Sequence, residues 1–198
     1  MLYQPSSEHL RPALPWWVSL WLIVSGFICT LDVLYTMNRP YTNDYGGILG
    51  RGLYMGWKLY SSVDARYLET NDLLTCTTGR IMLFEIVLNF VAVGLSFARS
   101  RHAIAVAFST CLLVWWKTVL FLAIYISPPE GHRHYMNQNK NILQMFGIFW
   151  IPNGVWIVMP TLCMFALWNK LAVPVKLVEQ YWINYELNSG EIHMKKKV

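Results

Sequence analysis

The chain has 198 residues, 55% hydrophobic and 14% charged, with a net charge of +5. Charged residues make up about 25% of a typical soluble protein, and a domain this small has too much surface for its volume to hide so large an apolar fraction. A soluble globular fold is therefore excluded, and the basic balance belongs to loops and tail that meet anionic headgroups rather than to a nucleic-acid surface.

Residues 1–14 form a short leading segment before the first apolar run, residues 15–37. A span needs about 20 residues at 1.5 Å each, and this run meets that length. Its aromatic load and the near absence of a basic flank separate it from a signal peptide. Residues 38–72 form a long connection rich in Gly, Tyr and Asn, which contains the stretch GWKLYSSVDARYLETND.

The second span is predicted over residues 73–98 and the third over 103–126. Only Arg99 to His102 joins them, which forces an antiparallel helical hairpin. Residues 127–141 lead into the fourth span, 142–173, where Pro152 and Pro160 predict bending because proline removes a backbone donor. The expected fold class is all-α: an integral membrane bundle of about four transmembrane helices over residues 15–173, followed by a basic tail, 174–198. Basic residues in the short link and in the tail place both termini in the cytosol. Lys195 and Lys196 lie fourth and third from the end, matching a dilysine retrieval signal and pointing to the endoplasmic reticulum membrane. Cys29, Cys76, Cys111 and Cys163 are scattered through apolar sequence and read as buried hydrophobes, not as a disulfide framework or a zinc site. No metal and no cofactor is expected.

Ionisable groups at bilayer depth cost about 2.5–3.5 kcal/mol each on insertion scales, which makes Asp32, Arg80, Glu85 and Lys117 the functional candidates. Arg80 is shallow enough to snorkel. Glu85 lies about 14 residues before the hairpin turn and Lys117 about 15 after it. Equal helical rise brings them to one level, so they can pair. That pair reads either as a packing device or as part of a proton-transfer site. Trp115, Trp116, Trp150, Trp156, Phe84 and Phe149 crowd the same depth and offer faces that stabilise a cation.

Two stretches carry a resemblance. One places Trp57, Tyr60, Asp64, Arg66 and Tyr67 in WKLYSSVDARY; the other places Asn153, Trp156 and Pro160 in NGVWIVMP. In this order, with four spans, the chain resembles the emopamil-binding protein family, also called the EXPERA domain. That resemblance implies a membrane bundle with a lipid-facing pocket and a sterol Δ8-Δ7 isomerase-like activity, or sterol binding without chemistry. Asn153 and Trp156 match the family's last-span pair, and Asp64 and Arg66 match its residues before the second span. The family's isomerases carry His and Glu four residues apart on the first span; here those positions are Cys29 and Val33, with Asp32 as the nearest carboxylate. Their second-span Glu follows a Cys; here Cys76 is followed by Thr77 and Thr78, and Glu85 comes two turns later.

The expected function is a membrane isomerase or cyclase acting on a sterol or terpenoid-like lipid by proton transfer. Asp32 and Glu85 are the candidate catalytic groups. Asn153, Trp156, Cys29, Thr78, Trp116, Lys117, Tyr60, Asp64 and Arg66 are the candidate substrate contacts. The alternative is a sterol-binding or trafficking protein, and a transporter is the weakest reading because no internal repeat is present. Expected partners are the bilayer and a hydrophobic small molecule; a homo-oligomer is left open.

Overall fold

The computed structural model describes residues 13–43, 52–126, 128 and 130–171. The dilysine end and the leading segment up to residue 12 lie outside the described residues. The first helix, α1, is Trp16–Met37. A short helix α2, Met55–Ser61, and a 3₁₀ turn, Ala65–Tyr67, occupy the long connection. Two long helices follow, α3 at Leu73–Phe97 and α4 at His102–Ile126. The last span is composite: α5, Ile142–Met145, a π-helical turn, Phe146–Trp150, and α6, Ile151–Leu171. Among the described residues, four segments are long and apolar enough to cross a membrane: Trp16–Met37, Leu73–Phe97, His102–Ile126 and Ile142–Leu171. The described residues are helical with no strand beyond one isolated bridge between Asp64 and Met136.

The hairpin turn closes as a Schellman motif. Arg99 N–H donates to Ser96 O at 3.0 Å and Ser100 N–H to Leu95 O at 2.9 Å, with Arg99 itself left-handed at φ 56°. The last carbonyls of α3 are thereby satisfied within four residues of chain.

Helix α3 packs against α1 and α4, and α4 packs against α6. The end of the bundle nearest the hairpin is filled solid. Leu14, Val18 and Leu22 meet Ala92, Val93, Ala103, Ala107, Cys111, Cys163 and Leu167. Small residues let the backbones approach where lipid gives no hydrophobic push between helices. Gly26 serves the same end: a Cβ there would stand 3.1 Å from the Phe90 ring. Large apolar residues such as Phe27, Phe84, Val87 and Phe165 are exposed on the outside, the inversion expected of a surface solvated by lipid.

Between α1, α3 and α4 sits a polar staple that the charge-based reading passed over. Asn89 Nδ2 donates to Ser25 Oγ at 3.1 Å, and Thr110 Oγ1 donates to Asn89 Oδ1 at 2.9 Å. All three residues are buried. Asn89→Ala should lower the unfolding free energy in detergent by about 1–2 kcal/mol, since interhelical hydrogen bonds of this kind reach that range in membranes. An unaltered thermal transition would show that the staple adds nothing to the bundle.

Two prolines interrupt the hydrogen-bond ladder of the last span. Pro152 cannot donate to Ile148 O, and Pro160 cannot donate to Trp156 O. The π turn lies immediately before Pro152, where Ile151 N–H reaches back five residues to Phe146 O. The wider turn admits the ring without breaking the span.

Candidate functional site

The end of the bundle opposite the hairpin is hollow. A cavity of about 400 Å³ lies among α1, α3, α4 and the composite last span, roofed by α2 and the 3₁₀ turn. Its size falls within the roughly 300–1,000 Å³ of small-molecule sites. Apolar side chains, among them Ile28, Met82, Phe121, Ile148 and Trp156, form most of the wall, and the polar groups are few and fixed.

Asp32 projects from α1 into this wall. Its Oδ1 accepts from Trp57 Nε1 at 2.6 Å and its Oδ2 from Tyr67 Oη at 3.3 Å. Burial, then the charge of Asp32, push the Tyr67 phenol well above its usual range, so Tyr67 stays an O–H donor. Asn153 is equally constrained: its Nδ2 donates to Tyr60 Oη at 3.0 Å and to Phe149 O at 2.8 Å. Burial, then Asp64, raise the Tyr60 phenol well above its usual range.

Glu85 and Lys117 form the ion pair that their equal depth predicts. Lys117 lines the cavity. Glu85 does not: its side chain is 2% exposed, and Oε1 accepts from Cys29 Sγ at 3.2 Å. The expectation that Glu85 is a substrate-facing acid or base is therefore replaced by a role behind the wall, where it holds Lys117 and Cys29. Breaking a buried pair leaves an uncompensated charge, at a cost of about 3–5 kcal/mol. Lys117→Met should therefore destabilise the bundle strongly, while Lys117→Met combined with Glu85→Gln should recover most of the loss. Additive losses in a detergent unfolding cycle would refute the coupling.

Of the other expected contacts, Cys29, Thr78, Tyr60, Asn153 and Trp156 line the cavity with Asp32. Trp116 does not: it is 61% exposed on the outer face of α4, edge-on to Trp115. Phe84 is likewise outside at 73%, and Phe149 is sealed in the packed cluster under the roof. The aromatic wall is built instead from Trp57, Tyr60, Tyr67, Phe121 and Trp156. Arg80 is exposed.

Asp64 and Arg66 hold up the roof instead of touching the cavity, and their side chains do not pair with each other. Asp64 Oδ1 accepts from Arg66 N–H at 3.0 Å and from Tyr125 Oη at 2.7 Å. The Arg66 guanidinium pairs with Asp72 at 2.8 Å and stacks 3.7 Å from the centre of the Tyr135 ring. Asp72 caps α3 through Thr75 N–H at 2.8 Å. Arg39 binds Thr36 O, Arg66 O and Thr75 Oγ1, tying α1, the roof and α3 together. The sequence signal for this arrangement was the density of Asp, Arg and Tyr in residues 60–72, but spacing alone does not assign the partners.

Among the described residues no cluster of His, Cys, Asp and Glu could hold a metal ion. No family model, curated protein or solved structure matches the chain.

Burial raises the Asp64 carboxyl from 3.8 to about 6, against the lowering effect of its hydrogen bonds and of Arg66. The folded protein thus binds this proton more tightly than the unfolded chain. Between pH 4 and 6 this group's contribution to stability falls as pH rises. Asp64→Asn keeps an oxygen acceptor at Oδ1 and removes the titration. The variant should unfold with a weaker pH dependence across that window, and an unchanged slope would reassign the titrating group.

Proposed function

We propose that the chain is a membrane-embedded isomerase or cyclase of the emopamil-binding protein type, acting on a sterol or terpenoid-like lipid by proton transfer. The observation that carries the reading is Asp32: a carboxylate held by two donors in the wall of a largely apolar cavity between the spans. Such a group moves protons to and from carbon where water does not compete. Trp156 offers a ring to positive charge on the substrate, and its place is fixed by edge-on contact with Trp21, ring centres 5.3 Å apart. Asn153 positions Tyr60 beneath the roof. Cys29, where the family's isomerases carry His, leaves Asp32 as the proton-transferring group of the first span. With the termini in the cytosol, the roof faces the lumen of the endoplasmic reticulum.

Conversion of Δ8-sterols and polyprenyl-type substrates, measured in microsomes carrying the full chain, tests the proposal. Asp32→Asn should cut turnover by about 100-fold or more, the scale of general acid–base catalysis, while substrate still binds. Turnover equal to that of the parent protein would remove Asp32 from the mechanism.

A second reading, a lipid-binding or trafficking protein without chemistry, is favoured by one feature. Both oxygens of Asp32 are engaged by roof donors, Trp57 and Tyr67, so the group is held as a structural anchor of the roof. A photoreactive sterol that crosslinks near Trp156 and is recovered chemically unchanged, with no product from any substrate tested, would select this reading.

A further inference from the structure

The ion pair behind the cavity is turned one way. Lys117 has 13% of its side chain exposed and lines the cavity, whereas Glu85 has 2% and does not. The remaining oxygen of Glu85 is taken by Cys29. The pair is neutral as a whole, yet only its positive end reaches the chamber. An ammonium group has three N–H donors, and one is used on Glu85. Donors left facing an apolar wall cost free energy until an acceptor meets them. The neighbouring hydroxyl hydrogens are already committed. The Thr118 hydroxyl donates to Val114 O, the Thr78 hydroxyl to Leu74 O, and Tyr67 Oη to Asp32. Lys117 is the cationic donor that this wall presents to an oxygen acceptor.

We propose that the cavity takes a lipid bearing a neutral carbonyl, a ketone or an ester, whose oxygen accepts a hydrogen bond from Lys117 Nζ, and that Lys117 thereby determines substrate class. The inference rests on the reading of the cavity as a lipid site. Charge selects among the candidates. An amine would meet the ammonium. A carboxylate would share that ammonium with Glu85, a like charge in a medium of low dielectric. A hydroxyl brings a hydrogen that needs an acceptor of its own, whereas a carbonyl needs only the donor that Lys117 supplies.

The same placement defines a balanced reaction for Asp32. With the carbonyl of a β,γ-unsaturated ketone on Lys117, the carboxylate takes a proton from the carbon between the carbonyl and the double bond. The electron pair of that C–H bond forms a double bond to the carbonyl carbon and the carbonyl π pair moves onto oxygen, giving a dienolate stabilised by the ammonium. Asp32 then returns the proton to the far carbon of the original double bond, and the oxygen's pair re-forms the carbonyl. One C–H bond breaks, one forms, the double bond moves into conjugation, and nothing is oxidised or reduced. Asp32 begins and ends as a carboxylate.

The test is binding of a matched pair, a 4-en-3-keto sterol and its 3β-hydroxy counterpart, to the full chain in nanodiscs. The native protein should prefer the ketone by roughly tenfold, the worth of one charge-assisted hydrogen bond. In Lys117→Met/Glu85→Gln the preference should shrink to about twofold or less. Equal affinities in the native protein, or a preference that survives in the double variant, would overturn the proposal. If the double variant does not fold, the infrared carbonyl stretch of the ketone bound to the native protein decides. A shift to lower frequency than in plain lipid supports the contact, and an unshifted band overturns it. Binding of neither sterol, with no displacement of a photoreactive lipid from the cavity, would sink the lipid-site reading itself and the proposal with it. Binding of both without preference would remove the carbonyl assignment alone.

Discussion

Hydrocarbon offers no hydrogen bonds, so every polar group that enters this bundle must find its partner in the protein. That constraint explains why its few intramembrane polar side chains occur in sets. Ser25, Asn89 and Thr110 satisfy one another across three helices. Cys29, Glu85 and Lys117 are joined across the same three helices at another level. Asp32 is satisfied from the roof by Trp57 and Tyr67. Each set fixes helix rotation more sharply than apolar packing does, because a rotated helix would strand a donor or acceptor at a cost of several kcal/mol. The cavity is the space left where these sets hold the helices while the side chains between them leave room.

The two ends of the bundle show how the same helices make a solid core and a hollow site. Near the hairpin, alanines and a cysteine on α3 and α4 let the backbones close up around Leu14, Val18 and Leu22. At the other end the bulky rings of Tyr60, Phe121, Tyr125 and Phe149 stack on one another beneath the roof. Rings braced in this way hold the walls apart. The roof is stiffened by Arg39, Arg66 and Asp72, whose charges are spent on backbone carbonyls, a helix cap and each other. The polar density of residues 38–72 therefore serves architecture first, and through Trp57 and Tyr67 it also orients the cavity's carboxylate.

The spans were readable from the chain because apolar runs of about 20 residues have one stable solution in a bilayer. The observed helices begin and end within a few residues of the expected ones. The Glu85–Lys117 pairing was readable too, because a four-residue link leaves little freedom in helix register. The orientation of that pair was not. Whether the acid or the base faces the cavity depends on rotation about the helix axis, and apolar residues all round α3 and α4 carry little information about rotation. For the same reason Trp116 fell outside and Phe121, five residues along α4 and so on a different face, fell inside. The partners of Asp32 escaped because they lie 25 and 35 residues away, at distances set by how the roof folds back. Asn89 escaped because it bears no charge, although an amide amid an apolar span carries a desolvation cost of its own.

The π turn before Pro152 makes the shape of the chamber depend on chain length as well as on side chains. Gly147 and Ile148, inside the turn, and Pro152, Asn153 and Trp156, just past it, all reach one wall. Each residue of an ordinary helix advances the azimuth by about 100°. Five residues wound as a π turn complete nearly the same rotation as four wound as an α-helix, so excising a single residue from Phe146–Trp150 would let the segment relax to ordinary winding with both flanks close to their present azimuths. What would go is the widened turn that carries Gly147 and Ile148 into the wall ahead of Pro152. A one-codon deletion here would therefore reshape that one wall without touching a charged group.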